Sequence, residues 1–404
     1  MEFLIRPRFR GLRNAIYFET TRLNALAKTE YSDKFGFYQD QFGLYSYMQL
    51  TTDLTYRIHY AQGTPFMWQS HNSCAWTPTG TLSMANFEIT PCKAKINEQF
   101  CYDEWMNSTY RAWLRWSENP TVAFSTEGVE ATNELVRILM KNATLGHRMT
   151  LVGGKLHSLG QVQFKDGTPA RIEEAFRRTA GTCRGWIELL RERGADAGME
   201  HLDGNFIKAT DISNDGTQFI GDGRDIVDLY DEIFDASPAP LQDAIIEGGV
   251  GGFGDAFYPI FAVAPPEFRA VRQAYNRQKE NTLQNEKRIT RQEFTISTDG
   301  GSRIIYAYFI DDTVVIPVQE ISKYDQYLTG ASHFAYLTVS GVIQLGANFA
   351  DLPVVNEREV AVMMQVSEDA EDYGTHKFLA HTLMAAAIND TDYIAGGYTY
   401  AIPA

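Results

Sequence analysis

The stretch Phe87–Trp105, FEITPCKAKINEQFCYDEW, carries the chain from one kind of structure into another. Before it the sequence looks β-rich: Leu54, Tyr56, Ile58 and Tyr60 alternate with polar or charged residues, which is a strand signal. Gly63-Thr64-Pro65 and the polar stretch with Pro78 and Gly80 break that region, so it reads as a long hairpin. Such a hairpin has little apolar material of its own and must bury a face on something else. From Glu98 the spacing changes, and Phe100, Trp105, Ala112, Trp113 and Trp116 suit a helix with one aromatic side, closed by Asn119-Pro120.

Further on, Leu135, Ile138, Leu139 and Met140 form the face of a second helix from Val129 to Leu145, with Gly146 as its C-cap. LVGGKLH then reads as strand and turn. Residues 170–193 are a helical stretch broken by glycine. Between Ala195 and Asp255 the chain turns acidic, and Asp222, Asp225, Asp228, Asp231, Glu232 and Asp235 decorate a helix with Ile226, Leu229, Ile233 and Phe234 beneath. Pro238-Ala239-Pro240 stops it, and a shorter helix follows. YPIFAVAPPEF reads as a buried strand running into a helix at Pro266–Lys279. EFTIS, RIIYAYFI, DDTVVIPV, FAYLTVSGVIQL, EVAVMMQVS and YTYAIP carry β-branched residues at strand density, while KFLAHTLMAAA could begin as a helix. Helices and strands are segregated, so the expected class is mixed α+β.

A chain of 404 residues suggests two or three packed units. Its net charge of −15 argues against a nucleic-acid binder as a whole. The start is the exception, where Arg6, Arg8, Arg10, Arg13, Arg22 and Lys28 face only Glu2 and Glu19. This basic arm suits an acidic neighbour or nucleic acid; a solvated tail is the plainer reading. An aromatic share of 13%, much of it in polar surroundings, is what subunit interfaces favour. Cys74, Cys92, Cys101 and Cys183 are scattered without a CxxC spacing, so reduced thiols in an intracellular setting are expected, with neither a zinc site nor a dense disulfide framework. No segment approaches a membrane span, and MEFLIRPRFRGLRN lacks the apolar core of a secretory signal.

Chemistry finds no anchor. Gly248–Gly254 lacks the Lys-Ser or Lys-Thr of a phosphate loop and is followed by Asp255. Residues 211–222 mimic a calcium loop, yet Phe219 sits where a donor is usual and Asp222 replaces the bidentate Glu, so an acidic turn is the better reading. None of the eight histidines forms HExxH, and His376 and His381 would fall on different faces of a helix. Asp311-Asp312, read as a pair on a strand, would point to opposite faces. No catalytic residue, cofactor or metal is expected.

Thr90-Pro91-Cys92-Lys93, Asp103-Glu104-Trp105 and the later MTLVGG follow one another as they do in another group of proteins. The run resembles the passage from extended loop to spine helix in major capsid proteins of tailed bacteriophages with the Hong Kong 97 fold. There an L-x-P-x-K strand leads into a helix begun near D-x-L, and a strand with a Gly turn closes it. YPIFAVAPPEFRAVRQAY looks like the strand entering a helix of the apical domain in that family. IIYAYFIDDTVVIPV looks like its G-h-P-V-h strand, and FLAHTLMAAAINDTDYIAGGYTY resembles its closing strands. The likeness covers residues 85–155 and 220–404, and its order is the stronger part of it. P-C-K…C-Y-D and the Tyr-rich ending are similar to crAss-like or related phages of Bacteroidetes hosts.

The resemblance implies an N-terminal arm at 1–40, an extended hairpin loop at 41–95, and a spine helix with the start of a peripheral domain at 96–170. It further implies an apical domain at 171–330, with an insertion at 170–215, and closing strands of both domains at 331–404. It implies a non-enzymatic shell subunit that forms hexamers and pentamers of an icosahedral head around double-stranded DNA, made in the host cytoplasm and located in the virion. Expected partners are copies of itself, then portal, head-decoration and scaffold proteins; no charged scaffold helix precedes the arm, so the scaffold would be separate or absent. Arg6, Arg8, Arg10 and Arg13 would meet acidic neighbours or DNA, and Phe66, Trp68, Trp76 and Phe87 would anchor the hairpin on a neighbouring subunit. Alternatives are an encapsulin-like nanocompartment shell and an aromatic-rich carbohydrate-active enzyme.

Overall fold

The computed structural model describes residues 43–50, 55–63, 82–101, 142–155, 163–190, 226–246, 259–280, 288–298, 301–329, 332–347, 354–355, 359–360, 362–366 and 375–400. They form two main sheets with helices packed on them, so the class is mixed α+β, as the segregated pattern indicated.

The larger sheet has six strands in the order β15-β9-β5-β8-β7-β6. These are β15 (Ile394–Tyr400), β9 (Ser332–Val339), β5 (Pro259–Val263), β8 (Thr313–Pro317), β7 (Gly301–Ile310) and β6 (Ile289–Thr298). Every residue of β5, β8 and β9 is buried. The cause is cover on both faces, which makes a strand read as an unbroken apolar run. Helix α3 (Ile226–Asp235) turns Tyr230 edge-on to Phe261, and α5 (Pro265–Glu280) brings Glu267 to His333. On the opposite face Trp186, in a helical turn at 186–190, packs edge-on against Phe334 and Tyr336. Helix α3 buries Ile226, Val227, Leu229, Tyr230 and Ile233 and leaves its acidic residues outward, while α4 (Ala239–Ile246) buries Leu241. Each such aliphatic burial stabilises by about 1.5–3 kcal/mol.

The second sheet is built around β14 (Thr375–Ile388). One edge of β14 pairs with β4 (Cys92–Cys101); the other pairs with β10 (Ile343–Ala347) and with β13 (Val362–Val366). Strand β1 (Tyr45–Gln49) lies parallel to β10. The chain crosses between the sheets twice at one seam, from β9 to β10 and from β14 to β15. There Asn389 donates its backbone N–H to Val342 at 3.0 Å and its side-chain amide to Gly341 at 3.2 Å. Two short strands, β11 (Val354–Val355) and β12 (Glu359–Val360), pair apart, and β2 (Tyr56–Gly63) with β3 (Leu82–Ile89) forms a separate hairpin.

Four expectations are corrected. Glu98–Cys101 belongs to β4, paired with Thr375–Phe378, and starts no helix. Residues 142–153 are helical (α1), so Gly146 lies inside a helix and Leu151-Val152-Gly153 is no strand. The stop comes at Gly154-Lys155, where Lys155 takes φ 59° and donates its N–H to Ala180. Gly154 is required there: a Cβ would lie 2.1 Å from the Cys183 carbonyl oxygen. Thr375–Ile388 is strand throughout, because β4, β10 and β13 all bond to it. Asp311 (φ 44°) and Asp312 (φ 67°) are the two turn residues between β7 and β8, in the primed geometry that Asp tolerates, and are not strand residues.

The cysteine expectation is also corrected, since Cys92 and Cys183 are disulfide-bonded. Helix α2 (Ala170–Gly181) ends just before Cys183 and delivers it onto the β4–β14 pairing, a meeting of residues 91 apart that no local spacing announces.

Candidate assembly surfaces

The hairpin β2–β3 keeps eight residue pairs in register, from Tyr56↔Ile89 to Gly63↔Leu82, and among the described residues it joins no other strand. Its length gives it a reach of about 24 Å. At its root Ile89 is 3% exposed and packs with Leu50, Ala385 and Ala387 in a small cluster apart from the main core. Thr55, Arg57 and Glu88 are exposed, and Arg57 Nε donates to Glu88 Oε1 across the strands at 2.7 Å. The root is therefore docked, while the ribbon beyond pairs, among the described residues, only with itself. Phe87 stands on β3 opposite Ile58. Arg6, Arg8, Arg10, Arg13, Phe66, Trp68 and Trp76 lie outside the described residues, as do residues 211–222 and Gly248–Gly254.

A second ribbon was not foreseen. Strand β8 bonds only to Tyr308–Ile310 of β7, yet β6 and β7 continue pairing from Gln292↔Ala307 to Thr298↔Gly301. On it Tyr306 is 44% exposed, with the Arg291 guanidinium 4.4 Å from its ring centre. Ile246, at the end of α4, is 72% exposed. The signal in the sequence was the unequal length of the strands: two of ten residues beside one of five.

Charged groups tie the body that carries these ribbons. Arg288, at the foot of β6, grips Asp231 of α3 with two nitrogens, each 2.7 Å from a carboxylate oxygen, and also bonds Asp311 in the β7–β8 turn. Those carboxylates hold its guanidinium proton more firmly still. Arg148 of α1 meets the buried Glu320 of α6 (Glu320–Asp325) at 3.0 Å. Deeper, Glu267 Oε1 lies 2.5 Å from His333 Nδ1. Asp325 beside them accepts bonds from the Ser332 N–H at 3.0 Å and hydroxyl at 2.9 Å. Burial pushes the Asp325 carboxyl up to about 6, against the pull of the Ser332 bonds. Burial likewise lowers His147 to about 3, which keeps it neutral.

Glu267 and His333 are 0% and 1% exposed, and the pair is an internal link between α5 and β9. Among the described residues no three His, Cys, Asp or Glu side chains are grouped to hold a metal, and no helix is long and apolar enough to cross a membrane. His376 and His381 lie on strand β14 and not on a helix.

No family model matches the sequence, and no curated protein matches it. Among solved structures, the chain is similar to one in the satellite phage P4 procapsid that includes the size determination (Sid) protein. The TM-score is 0.43 and the identity 8%, over 91% of this chain and 95% of that one. It is similar to a chain in the capsid of the native GTA particle, with a TM-score of 0.36 and 10% identity over 89% of each. It is similar also to the SrpI encapsulin complex of Synechococcus elongatus PCC 7942, with a TM-score of 0.34 and 11% identity over 89% of this chain and 87% of that one.

Proposed function

We propose that the chain is a shell subunit, the major capsid protein of a tailed phage with the Hong Kong 97 fold, and that it acts by assembling with its own copies and not by catalysis. The observation that carries the reading is the β2–β3 hairpin: a long two-stranded ribbon whose root is docked and whose strands pair, among the described residues, only with each other. An isolated two-stranded ribbon is marginal in water and is stabilised by packing on something else. In a closed shell, that something is the next subunit. The ordered resemblance of Thr90–Lys93, the strand–helix passage at 259–280 and the closing strands supports the same assignment.

In this reading residues 1–40 form an arm, 41–95 the extended loop, 96–170 the spine and peripheral region, 171–330 the apical domain and 331–404 the closing strands. Phe66, Trp68, Trp76 and Phe87 anchor the loop on a neighbour, and Arg6, Arg8, Arg10 and Arg13 meet acidic neighbours or packaged double-stranded DNA. Portal, decoration and scaffold proteins are the further partners. The chain is made in the host cytoplasm and resides in the virion.

The test is light scattering with negative-stain imaging of the chain expressed alone and with its neighbouring genes. Shells, hexamers or pentamers are expected, and particle diameter and contents separate a phage head from a nanocompartment holding protein cargo. A monodisperse monomer under every condition overturns the proposal.

A further inference from the structure

The disulfide stands at a mechanically distinct place. Strand β3 ends at Ile89 in the hairpin; after Thr90 and Pro91 the chain enters β4, in another sheet, at Cys92. Cys92 is thus the first residue of the body below the hairpin. Its register partner on β14 is Met384, and Cys183 Sγ lies 3.5 Å from the Met384 carbonyl oxygen. Cys183 is 2% exposed, whereas Cys92 is only partly buried. The seat for Cys183 is made by glycines: a Cβ at Gly154 would collide with the Cys183 carbonyl, and one at Gly185 would lie 2.4 Å from the Val152 carbonyl oxygen. With Cα atoms 5.7 Å apart, the two positions sit at the separation a disulfide ordinarily spans.

We propose that Cys92 and Cys183 are a redox-operated clamp on the root of the hairpin, open in a reducing cytoplasm and closed by a small-molecule disulfide of the glutathione type. The accessible Cys92 reacts first. Its thiolate attacks one sulfur of the small disulfide, forming a mixed disulfide and releasing one small thiolate. Cys183 gives up its proton and attacks the Cys92 sulfur, forming the protein disulfide and releasing the second small thiolate. Two protein thiols are oxidised and one small disulfide is reduced to two thiols. When open, the junction at Thr90-Pro91 is held by the small cluster around Ile89; when closed, the strand leaving the hairpin is bonded to the loop after α2. In the shell reading, the hairpin is free to find its neighbour during assembly and is fixed afterwards. The clamp itself is chemistry within one chain and stands apart from that reading.

The experiment uses the full chain purified under a reducing thiol and then treated with oxidised glutathione. Peptide mapping and hydrogen exchange are read on both forms, dispersed below any assembly concentration. A cross-linked Cys92–Cys183 peptide is expected, with amide exchange in residues 55–63 and 82–95 slowed about tenfold and little change in residues 259–263. Cys92→Ser and Cys183→Ser show no slowing under the same treatment. Reduced wild type provides the open state without any substitution, so a variant that fails to fold leaves the comparison intact. Failure to form the cross-link, or equal exchange at the hairpin root in reduced and oxidised wild type, overturns the proposal. A chain that clamps and never assembles would count against the shell reading alone.

Discussion

Glu267 on the first turn of α5 and His333 on β9 meet in the interior, with Oε1 and Nδ1 2.5 Å apart and neither side chain more than 1% exposed. Truncating one partner leaves the other polar and buried, which costs about 3–5 kcal/mol where a charge is stranded. Glu267→Ala is therefore expected to lower the urea midpoint far more than Glu267→Gln, which keeps the shape and one hydrogen bond. Equal midpoints for the two variants would show that packing alone, and not the ion pair, joins α5 to the sheet.

The same cluster sets a pH dependence whose sign follows from its shifts. Burial alone would push the His333 ring down, but the Glu267 carboxylate and Asp325 hold its proton, and it stands above the ordinary imidazole value. Burial raises Glu267 above the usual carboxylate range and raises Asp325 to about 6. A group whose folded value is raised contributes stability that is present below its unfolded value and lost as pH climbs through the folded one. For Asp325 that loss runs from the ordinary carboxylate value of 3.8 to about 6; for His333 it begins above 6.5. The unfolding midpoint is expected to fall as pH rises from about 4 to about 6 and again above 6.5, and Glu267→Gln should flatten the upper part of the fall by removing the partner that holds the His333 proton. A wild-type midpoint that rises over this range would contradict the assignment.

Much of this architecture is legible before folding, and the failures have physical causes. Ile260–Val263 reads as a buried strand because both faces are covered, and α3 because its apolar and acidic residues separate cleanly around one turn. Glu98–Cys101 misleads because the aromatic spacing from Phe100 onward satisfies a helix, while strand pairing with β14, nearly 280 residues away, decides the matter. Gly146 misleads because a glycine near the end of a periodic run resembles a C-cap; the stop eight residues later is dictated by the approach of the Cys183 backbone, which no local pattern encodes. Cys92 with Cys183, and Glu267 with His333, are meetings made by tertiary packing alone. The arm and the hairpin aromatics were legible only as types suited to an interface.

Arg288 joins three elements, α3, the foot of β6 and the β7–β8 turn, through a planar fork that lysine cannot reproduce. Its partners are partly exposed, Asp231 at 44% and Asp311 at 41%, so solvent screening limits what the pairs contribute. Arg288→Lys is expected to lose about 1 kcal/mol in urea denaturation, a loss that shrinks in high salt. A loss unchanged by salt would mean that packing of the side-chain stem, and not charge, is what the substitution removes.

The root of the hairpin should respond differently from the main core, because Ile89, Leu50, Ala385 and Ala387 form a cluster separate from the one that holds the six-stranded sheet. Ile89→Ala removes buried methyl and methylene groups and leaves a cavity, a change worth about 2–4 kcal/mol at a site that cannot collapse. That loss falls on local opening of β2 and β3, since Ile89 packs in this separate cluster. Hydrogen exchange in residues 56–63 and 82–89 is expected to speed up by about a hundredfold or more, while residues 259–263 and 332–339 keep the protection of the wild type. Global unfolding should move little. If both regions lose protection together, the hairpin and the sheets unfold as one cooperative unit, and its root is then a part of the core and not a hinge beneath an assembly arm.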